Sequence, residues 1–117
     1  MVELTNEQRQ GLEAVRRLHG IALIIAFGSK VRGIEHEASD LDLGILFARG
    51  RYSLEVLFAV QKLFPDQEVD IANLNRADPL FLNEIDKYCR LLCGDPQEFQ
   101  RFRLQAFHRY NDFKPYL

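Results

Sequence analysis

Apolar positions change their spacing several times along this chain, and each change predicts an element. Leu12, Ala14, Val15 and Leu18 recur at helical spacing; Thr5 with Gln8 three residues on forms a capping-box start, and Gly20 stops the helix. Ile21 to Phe27 is an unbroken, branched apolar run between glycines, the pattern of a strand buried on both faces. It ends in Gly28-Ser29, and the polar stretch from Lys30 to Ser39 reads as a short helical turn and loop. From Asp40 to Phe47 the pattern alternates. Leu41, Leu43, Ile45 and Phe47 point one way, and Asp40, Asp42, Gly44 and Leu46 the other.

Arg49-Gly50-Arg51 turns the chain, and Ser53 caps a helix with Leu54, Leu57, Phe58, Val60 and Leu63 as its expected core face, ending before Pro65. Gln67 to Leu74 reads as a third strand, with Val69 and Ile71 opposite Glu68, Asp70 and Ala72. Asp78-Pro79 opens a helix expected to run to about Leu92, with Gly94 as its C-cap. Asp95-Pro96-Gln97-Glu98 opens the last helix, which carries Phe99, Phe102, Phe107 and Tyr110 and frays near Pro115. The predicted order is α-β-β-α-β-α-α: a mixed α/β (α+β) fold with a small sheet and flanking helices. The short polar link between the first two strands is compatible with antiparallel pairing, because a parallel crossover usually needs a dozen or more residues.

Length and composition narrow this picture. A chain of 117 residues with 47% hydrophobic and 27% charged residues suits one globular domain, taken here as residues 1–117. A net charge of −2 provides no global basic field, so direct DNA binding is not expected, and no polybasic run marks a membrane surface. The longest apolar run is too short to span a bilayer. The N-terminus has no basic region followed by an apolar one, and a cytoplasmic protein is expected. Cys89 and Cys93, four apart in predicted helix, would share a face; without histidine or further cysteine nearby they read as free thiols.

The candidate chemistry is carried by carboxylates. Asp40 and Asp42 leave the same face of one strand and can share divalent cations in a two-metal arrangement, with ions about 3.5–4 Å apart. Asp70 joins them if its strand pairs beside theirs, and could then hold one metal and accept a proton from an attacking hydroxyl. Gly28 permits close backbone approach, Ser29 and the amides after it can donate to a triphosphate, and Lys30 and Arg32 lie close enough in sequence to neutralise phosphate charge. Taken singly, each piece has an ordinary structural reading: a turn, a solvated strand edge, surface charges. Two competing motifs fail. Gly28-x4-Gly33 has Ile34-Glu35 where a P-loop needs Lys and Ser/Thr, and Asp40-x-Asp42-x-Gly44 has Arg51 where a calcium loop needs its bidentate Glu.

Gly28-Ser29, ten intervening residues, Asp40-x-Asp42 and the later Asp70 together resemble the signature of the DNA polymerase β-like nucleotidyltransferase superfamily. The chain is similar over nearly its whole length to the minimal nucleotidyltransferases, the MNT or MntA-like antitoxins. That resemblance implies a nucleotidyltransferase fold, two Mg²⁺ ions on Asp40, Asp42 and Asp70, and a nucleoside triphosphate, ATP, held by Gly28, Ser29 and Arg32. It also implies a partner, a HEPN-domain RNase toxin that receives AMP on a tyrosine. A binding-only antitoxin, and transfer to a small molecule or an RNA end, stay open as alternatives.

Overall fold

The computed structural model describes residues 3–28 and 41–116. Helix α1 (Asn6–Leu18) begins with the predicted reciprocal cap: the Gln8 amide donates to Thr5 Oγ1 at 3.1 Å and the Thr5 amide to Gln8 Oε1 at 3.0 Å. Strands β1 (Ile21–Phe27) and β2 (Leu41–Phe47) follow, then α2 (Leu54–Gln61), β3 (Val69–Asn73), α3 (Pro79–Lys87), β4 (Cys89–Gly94), α4 (Pro96–Phe113) and a closing 3₁₀ turn (Lys114–Tyr116). The sheet order is β3-β2-β1-β4. β1 pairs antiparallel with β2 and with β4, while β2 and β3 are parallel.

β1 is central, and its sequence follows from that position. One face of the sheet packs Ile24, Ala26, Leu43 and Ile45 under α1 and α2, through Leu12, Val15, Val56 and Val60, with Phe64 joining from the turn after α2. The other packs Leu23, Ile25 and Leu74 under α3 and α4, through Leu82, Ile85, Phe99 and Ala106. A strand covered on both sides has no polar position to spare. Leu23, Ile24 and Ile25 are fully buried, each stabilising the fold by roughly 1.5–3 kcal/mol relative to exposure.

The fourth strand corrects the predicted helix to Leu92. α3 stops at Lys87, Tyr88 leaves helical geometry (φ −139°, ψ 62°), and Cys89–Gly94 pairs along β1. Pairing satisfies backbone groups that β1 would otherwise bury unpaired, and this outweighs the helical preference of Leu91 and Leu92. Gly94 is therefore the end of a strand, at φ 121°, and not a helix cap. The expectation that Cys89 and Cys93 share a face also fails. Ile24 pairs with Cys93 but Ile25 with Leu91, so one extra residue bulges β4 and reverses the alternation. Cys93 faces α1 and Cys89 faces α3 and α4.

The core face of α2 matches expectation at Val60 and at Leu63 just beyond the helix, and differs elsewhere. Val56 and Val60 are fully buried, whereas Leu54 and Phe58 are 64% and 59% exposed. The two pairs lie two residues apart, about 200° around a helix, so only one can meet the sheet. On α4 the buried residues are Phe99 and Ala106; Phe107 is exposed. Arg103 fastens α4 to α3, donating to Asp86 at 2.6 Å while lying over the Phe99 ring.

Glu13 makes a polar tie between α1 and β4. It accepts from Arg16 Nε at 2.8 Å, from Arg17 Nε at 2.9 Å and from Cys93 Sγ at 2.9 Å. The Arg16 hydrogen bonds, then that from Cys93, hold the Glu13 carboxyl at about 2 against an ordinary 4.5. A depressed folded-state value contributes stability above pH 4.5 that is lost as the pH falls towards 2. Partial exposure screens the effect and keeps it modest. Thermal melts at steps from pH 5 to pH 2.5 should show a steeper loss for the native chain than for Glu13→Gln; parallel curves would remove the tie from the acid response.

Candidate active site

The site is a row across the sheet. Asp42 on β2 pairs with Phe27 on β1 and with Asp70 on β3, and Phe27 pairs in turn with Cys89 on β4. Leu41 and Leu43 beside Asp42, and Val69 and Ile71 beside Asp70, all pack towards α1 and α2. Alternation therefore sends both carboxylates to the opposite face, that of α3 and α4. Adjacent strands lie about 4.8 Å apart, so the two acidic side chains stand as direct neighbours. The condition for Asp70 to join the paired aspartates, that its strand lie beside theirs, is met for Asp42. Asp40, Ser29 and Arg32, together with Lys30, lie outside the described residues.

Gly28 follows Phe27 and closes β1 beside this row. Its φ is +84°, a conformation that only glycine adopts without strain. A Cβ there would run into the Asp42 carboxylate. Glycine thus lets the chain end of β1 lie directly against the acidic side chain. Asp42 is half-buried and Asp70 exposed on the edge strand, so the row passes from the protein interior to solvent.

Reading the sequence alone left out the β1 and β4 members of this row. Phe27 is half-buried and meets the edge of the Phe81 ring from α3, with centroids 5.8 Å apart at 83°. The two rings form an apolar wall beside Asp42. Cys89 completes the row beyond Phe27; burial pushes its thiol above the ordinary value, so it stays protonated at neutral pH and is no ready nucleophile. Burial, then the Glu13 hydrogen bond, pushes Cys93 up to about 12. Alternation could have placed Phe27 on the face of Asp42 once antiparallel pairing was assumed. No pattern could have placed Cys89 before β4 was known to be a strand.

Residues 12–98 match the sequence model of the family described as polymerase beta, nucleotidyltransferase. The chain belongs to this family. The nucleotidyltransferase fold extends to solved structures. A chain of a toxin–antitoxin crystal structure with AMP-PNP superposes with TM-score 0.77 at 22% identity, over 95% of this chain and 91% of that one. The structure of a tri-AMPylated Shewanella oneidensis HEPN toxin in complex with its MNT antitoxin has a chain that matches with TM-score 0.70 at 18% identity, over 92% and 87%. In sequence, the chain is 27% identical over 92 residues to the protein adenylyltransferase MntA of Shewanella oneidensis, which covers 77% of this chain and 66% of that protein. The chain thus spans just under two thirds of that curated relative.

Within the nucleotidyltransferase fold, the donor set of the row fits a hard divalent cation. Carboxylate oxygens side by side are the hard ligands that Mg²⁺ takes, and the missing side chain of Gly28 leaves room for the Asp42 carboxylate. Among the described residues, Asp42 and Asp70 would hold such an ion. No helix among the described residues is long and apolar enough to cross a membrane.

Proposed function

We propose that this chain is a magnesium-dependent adenylyltransferase that silences a HEPN-domain toxin by transferring AMP from ATP to a tyrosine of that toxin. The observation that carries the reading is the cross-strand pairing of Asp42 with Asp70 directly beside the positive-φ Gly28. Family membership supports the chemistry, and the resemblance to MntA and to chains of toxin–antitoxin complexes supports the donor and the partner.

Asp40, Asp42 and Asp70 would hold Mg²⁺, which when bound neutralises triphosphate charge and orients it. Gly28 brings the end of β1 close to the phosphates, with Ser29 and Arg32 as the remaining phosphate contacts. Asp70, exposed on the sheet edge, accepts the proton of the tyrosine hydroxyl. The phenolic oxygen forms a bond to the α-phosphorus, the bond between that phosphorus and the α,β-bridging oxygen breaks, and pyrophosphate leaves with the bond pair. Positioning and charge neutralisation supply most of the acceleration in such transfers. The wall of Phe27 and Phe81 excludes water from one side of the row.

The test is the intact mass of the cognate HEPN-domain protein after incubation with this chain, Mg²⁺ and each NTP separately. A gain of one or more AMP units with ATP is expected, lost when Mg²⁺ is chelated. A stable complex with no mass gain under any NTP would replace catalysis by masking of the toxin. Modification of an RNA end or a small molecule in the absence of the toxin would move the acceptor.

A further inference from the structure

The far end of the same sheet carries a concave site. β2 and β3 run parallel from the carboxylate row to Phe47 and Asn73. Five residues separate Asp42 from Phe47, so this end lies about 16 Å from the row at about 3.3 Å per residue. A cavity of about 470 Å³ opens there, lined among others by Arg51, Tyr52, Asn73, Asn75 and Arg76. That volume lies within the range of small-molecule sites.

Two pinned turns build it. The amides of Ala48, Arg49 and Gly50 all point to the Gly20 carbonyl, at 2.9, 3.1 and 3.4 Å, which fixes the turn leading into Arg51. On the other side, Asn75 clamps the Phe47 peptide: the Phe47 amide donates to Asn75 Oδ1 at 2.8 Å, and Asn75 Nδ2 donates to the Phe47 carbonyl at 2.9 Å. The Asn75 amide donates to Asn73 Oδ1 at 3.1 Å, and the Arg76 amide to the Asn73 carbonyl at 3.2 Å. The turns on which both arginines stand are therefore set before any ligand arrives, which lowers the cost of binding.

The lining is rich in donors and contains no carboxylate. Neither Arg51 nor Arg76 makes an ion pair among the described residues, although acidic residues outnumber basic ones in the chain. The Asn73 side-chain amide keeps its N–H donors unpartnered among the described residues, and Tyr52 adds a phenol and a partly exposed ring. Two guanidinium forks and a carboxamide suit the oxygens of a phosphate, and an aromatic face beside them suits a base.

We infer that this cavity binds a phosphate-bearing mononucleotide, with Arg51 and Arg76 on the phosphate and Tyr52 against the base, at a site separate from the carboxylate row. The inference is independent of the proposed catalysis. It is tested by titrating the ¹⁵N-labelled full chain with AMP in the presence of EDTA, with inorganic phosphate and adenosine as separate arms. Shifts at Gly50, Arg51, Asn73 and Arg76 are expected with AMP, persisting in Asp42→Asn. The double variant Arg51→Gln, Arg76→Gln should bind at least about tenfold more weakly with the rest of its spectrum unchanged. Phosphate should bind more weakly than AMP at the same amides, and Tyr52→Ala should bring AMP down to the level of phosphate. Absence of shifts at these amides, shifts confined to Gly28 and Asp42, or binding that survives the double arginine variant would each overturn the inference.

Discussion

Asp42→Asn should lower AMP transfer to the toxin by about 10³-fold while leaving the chain folded. The substitution keeps the shape of the side chain and removes one charge from the cross-strand pair with Asp70. In a site that acts by positioning and charge, removing one stabilising contact costs on the order of 10²–10³ in rate; the shared cation ligand proposed for Asp42 belongs at the upper end. Asp70→Asn should also lower transfer. In the absence of Mg²⁺ it should leave the melting temperature unchanged or raise it slightly, because like charges on facing strand positions repel. Single-turnover rates at saturating ATP, with melts in EDTA beside them, check both. A variant of Asp42 that folds, binds the toxin and transfers at the native rate would remove the row from catalysis.

What the sequence disclosed depended on how many readings each segment allowed. Ile21–Phe27 allows one: an apolar run that short between glycines is a strand covered on both sides, and so it is. The alternation around Asp42 and around Asp70 likewise has one solution, so the shared face of the two carboxylates was legible. Their adjacency was not, because it depends on which strand lies beside β2, a choice made by packing. α2 offers two apolar pairs at i and i+4, Leu54 with Phe58 and Val56 with Val60, and the sequence does not say which meets the sheet. The structure buries the β-branched pair. Tyr88–Gly94 follows a helix with no glycine or proline before Gly94, so its local pattern continued the helix; pairing with β1 is a long-range gain that no local window contains. The bulge in β4, which sends the two cysteines to opposite faces, is of the same kind. Asp40, Ser29 and Arg32 rest on spacing and family resemblance.

Gly28→Ala should separate the two demands placed on the end of β1. An alanine at φ +84° carries a backbone strain of about 1–2 kcal/mol, and its methyl group would occupy space taken by the Asp42 carboxylate. The carboxylate is the easier of the two to move, so the chain should fold and the side chain should be displaced. A displacement of about 1 Å at a positioning group can cost about 10² in rate. The control is Gly20→Ala, at φ +64° at the other end of the same strand, where the added carbon would approach the Gly50 backbone. Both variants should lose comparable stability in thermal melts, since each places alanine at positive φ. Only Gly28→Ala should lose transfer, by about 10²-fold or more at saturating ATP and toxin, because only there does the new methyl group meet the Asp42 carboxylate proposed to act in catalysis. Equal losses of transfer in the two variants would assign the effect to strain in β1 as a whole and leave the contact between Gly28 and Asp42 without a part in the chemistry.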